Sequence, residues 1–252
     1  MPFTFSHPAI ILPLSKSKNI RLSFTGLIAG SMAPDFEFLL RLRNTENFGH
    51  TWPGVLACDI PFAIALSFVF HYFVRDTLIL HLPKYFRQRF VELIKFNWWL
   101  YLKQHKFNFF AAVLIGILSH FFLDSFTHQN KIIEQWVPFF SAVIVVFKQP
   151  LPVPVILQII TSLIGGLYIL WFITKMEKGE DVLQAKSIAG YWTMMGVLTT
   201  AIFALRLLFD KVHQSTADII IAGVGSFVYA FLLVTIIYFK RTIGIKKKSP
   251  EN

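Results

Sequence analysis

Residues Val153–Thr174 read V-P-V-I-L-Q-I-I-T-S-L-I-G-G-L-Y-I-L-W-F-I-T, without one charged side chain. An apolar run of about 20 residues is the length of α-helix that crosses the roughly 30 Å hydrocarbon core of a membrane. In lipid, the backbone N–H and C=O groups must find partners within the protein, and a helix provides them within one segment. This stretch therefore predicts a membrane-spanning helix.

Similar windows recur along the chain and predict an all-α polytopic helical bundle of about six membrane segments. One of them, Leu22–Leu42, is apolar enough to span but carries Pro34, Asp35 and Glu37 in its second half. The segment Val137–Phe147 is too short to span and is interpreted as an interfacial or re-entrant piece. The other spanning windows are Val55–Val74, Phe107–Phe126, Ile188–Phe209 and Ile219–Phe239.

The composition also indicates a membrane protein. Apolar residues make up 55% of the chain and charged residues 15%, below the roughly 25% of soluble domains. The lone Cys58 excludes a disulfide framework and a cysteine zinc cluster. We predict one membrane domain over residues 1–252: a motif-bearing half (1–130), scaffold helices (131–240) and a basic tail (241–252).

The net charge of +10 is interpreted as topology rather than nucleic-acid binding. Of the 24 Lys and Arg residues, 18 lie in the stretch through Arg21, the Arg75–Lys106 loop, the Lys175–Lys186 loop and the tail from Lys240. Because cytoplasmic loops carry the basic excess, we predict a multi-pass protein of the cytoplasmic membrane with a cytoplasmic C-terminus. The Arg75–Lys106 loop, rich in aromatic residues, predicts an amphipathic interfacial helix.

Ionisable side chains cluster in the segment S-H-F-F-L-D-S-F-T-H, which ends at His128. His120 and Asp124 are four residues apart, so they lie on one face of a helix and can reach the same point. This is the spacing with which a helix offers two ligands to one divalent metal. The alternative is that each is a satisfied hydrogen-bond partner between helices.

Polar groups in three other segments are expected at the same membrane face. Asp35 directly follows Pro34, where we expect the helix to be interrupted, and Glu37 comes two residues later. His50 lies in the glycine-containing connection F-G-H-T-W-P-G, and His7 lies in M-P-F-T-F-S-H-P. Together these segments favour one site in the first half of the chain.

The position of His7 sets a condition on that site. Basic residues from Lys16 to Arg21 precede the first apolar window, so a single crossing would place His7 and Asp35 on opposite sides of the membrane. A shared site then requires Ser6–Leu40 to form a re-entrant helical hairpin.

Four motifs occur in a fixed order and carry a resemblance. M-P-F-T-F-S-H-P, G-S-M-A-P-D-F-E, G-H-T-W-P-G and S-H-F-F-L-D-S-F-T-H resemble the bacterial membrane proteins grouped as domain of unknown function 4184. The motifs cover about residues 1–130, and the rest of the chain is similar in length and hydropathy. Because that family has no established activity, the resemblance implies membrane architecture but no function.

A more distant resemblance is chemically more informative. The motif order looks like that of the LexA-regulated inner-membrane metal-dependent hydrolases. Glu37 stands where that pattern has a second Asp, which makes it a candidate catalytic base rather than a ligand. Residues expected to support the ligands are Asp59, His128, Thr51 and Ser125. The metal ligands that the resemblance implies are His7, Asp35, His50, His120 and Asp124.

Imidazole and carboxylate donors without a thiolate favour a divalent transition metal, zinc above all, as one or two ions. Such an ion makes water a usable nucleophile at neutral pH. We therefore expect a metal-dependent hydrolase acting on a lipid-like or phosphoester substrate at the membrane interface. Two alternatives remain: a non-catalytic membrane protein with a structural metal, and a cation- or proton-coupled transporter, whose site lies near the midplane.

Overall fold

The computed structural model describes residues 3–16, 22–44, 48–180, 187–209 and 215–246. Helices dominate these ranges, and five of them are long and apolar enough to cross a membrane: α2, α4, α6, α7 and α8. The all-α polytopic architecture predicted from the sequence is confirmed. The helices are α1 (Phe24–Arg41), α2 (Trp52–His81), α3 (Lys84–Phe90), α4 (Trp98–Thr127), α5 (Lys131–Trp136), α6 (Val153–Thr174), α7 (Ile188–Phe209) and α8 (Thr216–Lys246).

The apolar windows predict both ends of two spans but not of two others. α6 and α7 begin and end where the apolar windows do. α2 and α4 are each 30 residues long and continue past their predicted windows into polar sequence. At 1.5 Å per residue, 30 residues of straight α-helix measure about 45 Å, more than the hydrocarbon core requires. α2 contains two π-helical turns, and α4 is kinked at His105, whose φ and ψ of −127° and 32° are not helical.

The N-terminal residues and α1 form a helical hairpin, as the shared site requires. Two 3₁₀ helices, Thr4–Ile10 and Leu12–Lys16, run antiparallel to α1. At one end, the Thr4 hydroxyl donates to Asp35, 2.8 Å away. Further along, Ile11 packs with Leu27. His7 and Asp35 therefore lie at the same end of the hairpin, and residues 17–21 are outside the described ranges.

α1 itself corrects one expectation. The helix continues through Pro34 for 18 residues instead of breaking there. Proline is tolerated in membrane helices where neighbouring groups satisfy the freed backbone. Because α1 also carries Asp35, Glu37 and Arg41, it is more polar than the five apolar spans.

Glycines bring α1 and α4 into backbone contact. A Cβ on Gly30 would lie 2.2 Å from the carbonyl oxygen of Val113, and one on Gly116 would lie 2.4 Å from that of Leu27. Gly26 and Gly30 form the small-xxx-small pattern that allows membrane helices to approach closely. This contact lies one turn before Asp35 on α1 and before His120 on α4, so it fixes the distance between those side chains.

The connection between α4 and α6 contains the β-structure. The segment predicted as interfacial or re-entrant, Val137–Phe147, forms a 3₁₀ turn at Pro138–Ser141 and then strand β1 (Val143–Val146). β1 pairs antiparallel with β2 (Gln149–Pro152). Phe147 and Lys148 both have positive φ angles, of 47° and 64°, typical of the type I′ turns that close two-residue hairpins.

The connection between α2 and α4, predicted as an interfacial helix, contains two short helices. They are α3 and the 3₁₀ helix Val91–Lys95. Of the predicted basic tail, residues 247–252 lie outside the described ranges.

The chain divides into two compact units, and its assignment as one membrane domain stays a prediction. The first comprises Met1–Asp35, Phe48–Ile64 and Tyr101–Lys175, and the second comprises the remaining segments. In the second unit, α7 and α8 pack around a cluster that includes buried Tyr191 and Val234. All five predicted metal ligands belong to the first unit.

Candidate metal centre

Four side chains from three segments converge on one point. One ligand atom from each of Asp35, His50, His120 and Asp124 lies within 4.8 Å of the other three. Nε2 of His50 and Nε2 of His120 each lie 3.3 Å from Oδ2 of Asp124. Nε2 of His120 also lies 3.5 Å from Oδ1 of Asp35. These four residues are called the tetrad below.

Helix periodicity and helix packing place three members of the tetrad. His120 and Asp124 are one turn apart near the C-terminal end of α4, as predicted. Asp35 lies on α1, which the glycine contacts hold against α4. Asp35 and His120 are fully buried, and the Asp124 side chain is 10% exposed.

The tight turn before α2 places the fourth member, His50. Thr51 caps this helix: its hydroxyl accepts from the N–H of Gly54 and donates to the carbonyl of Phe48. A Cβ on Gly54 would lie 1.8 Å from the Phe48 oxygen, so only glycine fits there. The predicted supporting role of Thr51 thus has a structural basis in the shape of the turn that carries His50.

The His120 ring is oriented by a backbone contact on the side away from the carboxylates. Its Nδ1 lies 2.9 Å from the backbone carbonyl oxygen of Ser31, and a carbonyl can only accept. Nδ1 therefore donates this hydrogen bond, and Nε2 faces the carboxylates, where its lone pair would be available to a metal ion. This is the usual arrangement behind a metal-binding histidine.

His7 lies on the other side of the same carboxylates. Its Nε2 is 3.8 Å from Oδ2 of Asp35 and 3.8 Å from Oδ1 of Asp124. The ring stacks on that of His120, with centroids 4.0 Å apart. His7 therefore lies beside both carboxylates but is not a member of the tetrad.

Several buried atoms of this group lack hydrogen-bond partners among the described residues. They are both ring nitrogens of His7, Oδ1 of Asp35 and Oδ1 of Asp124. Among the residues that the structure describes, Asp35 and Asp124 form ion pairs with histidines, and no Lys or Arg pairs with either carboxylate. Unpaired polar atoms and adjacent carboxylates are costly in a buried site. A divalent cation removes both costs, so the residues fit a metal.

The other predicted residues are more peripheral. His128 is 39% exposed, and its Nδ1 lies 3.2 Å from the carbonyl oxygen of Asp124. Ser125 donates to the carbonyl of Phe122 within α4 and is partly buried. Asp59 is buried in a π-helical turn of α2, and its supporting role stays a prediction.

Glu37 is paired along its own helix. Its carboxylate lies 2.5 Å from Nη2 of Arg41, one turn later. Since α1 is continuous, residues two apart point about 200° away from each other, so Glu37 faces away from Asp35. Its role as a catalytic base stays a prediction.

Sequence reasoning missed two polar groups that complete the site. Thr4 donates to Asp35, and the backbone carbonyl of Ser31 accepts from His120. Neither had a recognisable signal, because both contacts join segments distant in the chain. The pattern of Gly26 and Gly30, which brings α1 onto α4, is the signal in the sequence that could have indicated this packing.

The comparisons with known proteins agree with the motif order. The sequence matches the family described as a domain of unknown function (DUF4184) over residues 1–239, and the chain belongs to that family. No curated protein and no solved structure matches the chain. The family assignment predicted from the four motifs is therefore confirmed, and its description assigns no chemistry.

Proposed function

We propose that this protein is a zinc-dependent hydrolase of the bacterial inner membrane that cleaves a phosphoester in a lipid-like substrate. The observation that carries the proposal is the tetrad, in which two buried carboxylates and two imidazoles converge and no described Lys or Arg side chain balances the acids. Nitrogen and oxygen donors without sulfur, at this number and spacing, suit zinc better than magnesium or calcium.

The carboxylates favour two ions rather than one. Oδ1 of Asp35 and Oδ2 of Asp124 face the two tetrad histidines, at 3.3 to 3.9 Å. The opposite oxygens, Oδ2 of Asp35 and Oδ1 of Asp124, face His7. Each carboxylate would therefore offer one oxygen on the tetrad side and one on the His7 side, a donor arrangement that would suit a centre of two ions.

Bound zinc supplies an activated water and stabilises the charge of a phosphoryl group. The chain's own residues hold and orient that centre. Ser31 holds His120 in the ligating tautomer, and Thr4 donates to Asp35. His128, beside Asp124 and partly exposed, is placed to exchange a proton with solvent.

The depth of the tetrad favours an enzyme over a transporter. Asp124 lies three residues before the end of α4, and His120 lies about 10 Å from that end by helix geometry. His50 directly precedes α2. The site is therefore at the membrane boundary, whereas transport sites are typically at the midplane.

Exposed apolar side chains in the connections at this boundary favour an amphiphilic substrate. Trp52 is 76% exposed, Trp136 is 82% exposed and Phe147 is 97% exposed. Such side chains are suited to the lipid interface rather than to water. A lipid held among them presents its headgroup phosphate at the height of the tetrad.

The distribution of charge favours an extracytoplasmic site. Only six of the 24 basic residues fall in the connections at the tetrad's end of the spans. By the excess of positive charge in cytoplasmic loops, that end faces outward and the C-terminus is cytoplasmic. The N-terminal hairpin makes this consistent for His7, which lies at the same end as Asp35.

Metal analysis coupled to hydrolysis tests the proposal. Purified wild type is compared with His120→Ala and Asp124→Asn, and with His105→Ala, an exposed histidine on the same helix, as the matched control. We expect stoichiometric zinc and cleavage of bis(4-nitrophenyl) phosphate in wild type and control, and loss of both in the tetrad variants, by at least about 100-fold in rate. Wild type without metal under metal-replete conditions overturns the proposal. Metal without phosphoester cleavage instead indicates a structural site.

A further inference from the structure

A cavity of about 420 Å³ lies in the second unit, away from every residue of the tetrad. It is bounded by the last third of α2, the connection before α4, the first residues of α4, and Phe239 of α8. By the alternation of the spans, it is at the end with the basic excess. The lining residues that matter here are His71, Arg75, Asp76, Lys95, Trp98 and Trp99.

Arg75 is the central polar group of this cavity. Its side chain is only 8% exposed. Nε donates to Oδ1 of Asp76 at 2.7 Å, and Nη1 donates to the carbonyl of Phe96 at 2.8 Å, with Nδ1 of His71 3.3 Å away. The second terminal nitrogen, Nη2, has no hydrogen-bond partner among the described residues. The guanidinium is thus held on two edges, and two N–H donors remain for a ligand.

A guanidinium held in this way favours a phosphate. Its planar fork matches the oxygens of a phosphate, and the existing contacts fix its direction before the ligand arrives. Lys95 adds a second cation at the rim, where it pairs with Glu92. The charged side chains that line the cavity are two cations, Arg75 and Lys95, and one acid, Asp76.

The walls favour an amphiphile rather than a small polar anion. Trp98 is 3% exposed and stacks on His71 with centroids 4.3 Å apart and planes 7° apart. Tyr72 and Trp99 are each about half exposed beside it. Tryptophan and tyrosine at the ends of membrane spans lie at the level of the lipid headgroups.

The backbone of α2 is irregular at this level. Phe70–Val74 is a π-helical turn, which contains His71 and Tyr72 and ends directly before Arg75. Single π-helical turns inside α-helices are frequent at functional sites. The turn displaces these side chains from the positions that an uninterrupted α-helix would give them.

We propose that this cavity binds the phosphate group of an anionic membrane phospholipid, with Arg75 as its main contact and Lys95 at the rim. Basic pockets between membrane helices at the cytoplasmic surface are suited to such headgroups. The site requires neither the metal nor hydrolysis, so its failure leaves the proposed function untouched.

Thermal unfolding of the purified full chain in neutral detergent tests the assignment. The ligands are dioleoylphosphatidylglycerol, dioleoylphosphatidylcholine and inorganic phosphate. The variants are Arg75→Gln and Lys95→Gln, with Lys84→Gln as a control, because Lys84 is an exposed cation on α3 that does not line the cavity. We expect phosphatidylglycerol to raise the Tm of wild type and of the control, with an apparent affinity about tenfold weaker in Arg75→Gln.

The remaining outcomes are also decisive. A folded Arg75→Gln variant with wild-type phosphatidylglycerol affinity overturns the proposal, as does equal stabilisation by phosphatidylcholine. If Arg75→Gln does not fold, Lys95→Gln decides: an affinity weakened about threefold supports the site, and an unchanged affinity overturns it. Stabilisation by inorganic phosphate that matches the lipid and is lost in the variants supports the phosphate subsite but makes a soluble phosphate its source.

Discussion

Nε2 of His7 lies 3.8 Å from Oδ1 of Asp124, the oxygen opposite to the one that faces His50 and His120. This relationship divides one buried carboxylate between two groups of histidines. The imidazole of His7 is fully buried and has no hydrogen-bond partner among the described residues. A second ion held by His7 and the two carboxylates would give that imidazole a partner.

Substitution of His7 tests the two-ion arrangement. We expect His7→Ala to bind one zinc per chain where wild type binds two, because the tetrad does not include His7. Elemental analysis of purified protein measures the ratio, and His120→Ala serves as the comparison, in which the tetrad ion is lost. An unchanged ratio in His7→Ala contradicts the second ion.

Removal of the metal is expected to destabilise the fold as well as the site. Without a cation, Asp35 and Asp124 are buried carboxylates whose ion-pair partners in the described ranges are histidines, with no Lys or Arg among them. An ion present at 1,000 times its Kd contributes about 4 kcal/mol to stability. We expect chelation to lower the Tm by about 10 °C and zinc to restore it. In His120→Ala the chelator should have little further effect; the same drop there would indicate a different metal site.

The helix contact that sets the spacing of the site can be tested at one glycine. A Cβ on Gly30 would meet the Val113 carbonyl at 2.2 Å, so Gly30→Ala must separate α1 from α4. We expect a loss of about 1–3 kcal/mol in unfolding free energy together with weaker zinc binding.

Gly196 on α7 is the matched control. A Cβ there meets nothing within 4 Å, and alanine is the better helix former by about 1 kcal/mol. Gly196→Ala should therefore leave zinc binding unchanged and stability equal or higher. Equal zinc affinity in Gly30→Ala and wild type would mean that the contact does not position the site.

The sequence predicted the spans more completely than the site. An uncharged run fixes both ends of α6, whereas α2 and α4 continue beyond their windows because hydropathy does not report where helical hydrogen bonding stops. The spacing of His120 and Asp124 predicted their shared face, since that depends on helix geometry alone. The contact between Thr4 and Asp35 depends on how distant segments pack, which single-sequence patterns do not contain.

Glu37 matches the motif by residue type, but its side chain does not point toward the tetrad. It pairs with Arg41 and faces away from Asp35 along α1. Contrary to the role as a base predicted from the motif, this geometry leads us to expect that Glu37→Gln retains full zinc and keeps the rate of phosphoester cleavage within about threefold of wild type. Measurement of kcat at saturating substrate distinguishes this from a role as the base: a fall of 100-fold or more with zinc retained would assign that role to Glu37.

The sidedness of the site can be measured with single cysteines. In a Cys58→Ser background, Phe147→Cys places a thiol at the 97% exposed tip of the hairpin between α4 and α6, and Lys84→Cys places one on α3, in the connection between α2 and α4. A membrane-impermeant maleimide added to intact cells with a permeabilised outer membrane should label residue 147 and not residue 84. The reason is that the basic excess predicts an extracytoplasmic location for residue 147 and a cytoplasmic location for residue 84. Residue 84 should react only after lysis. The reverse pattern would place the tetrad on the cytoplasmic face and exclude an extracytoplasmic substrate, while leaving the metal ligands unchanged.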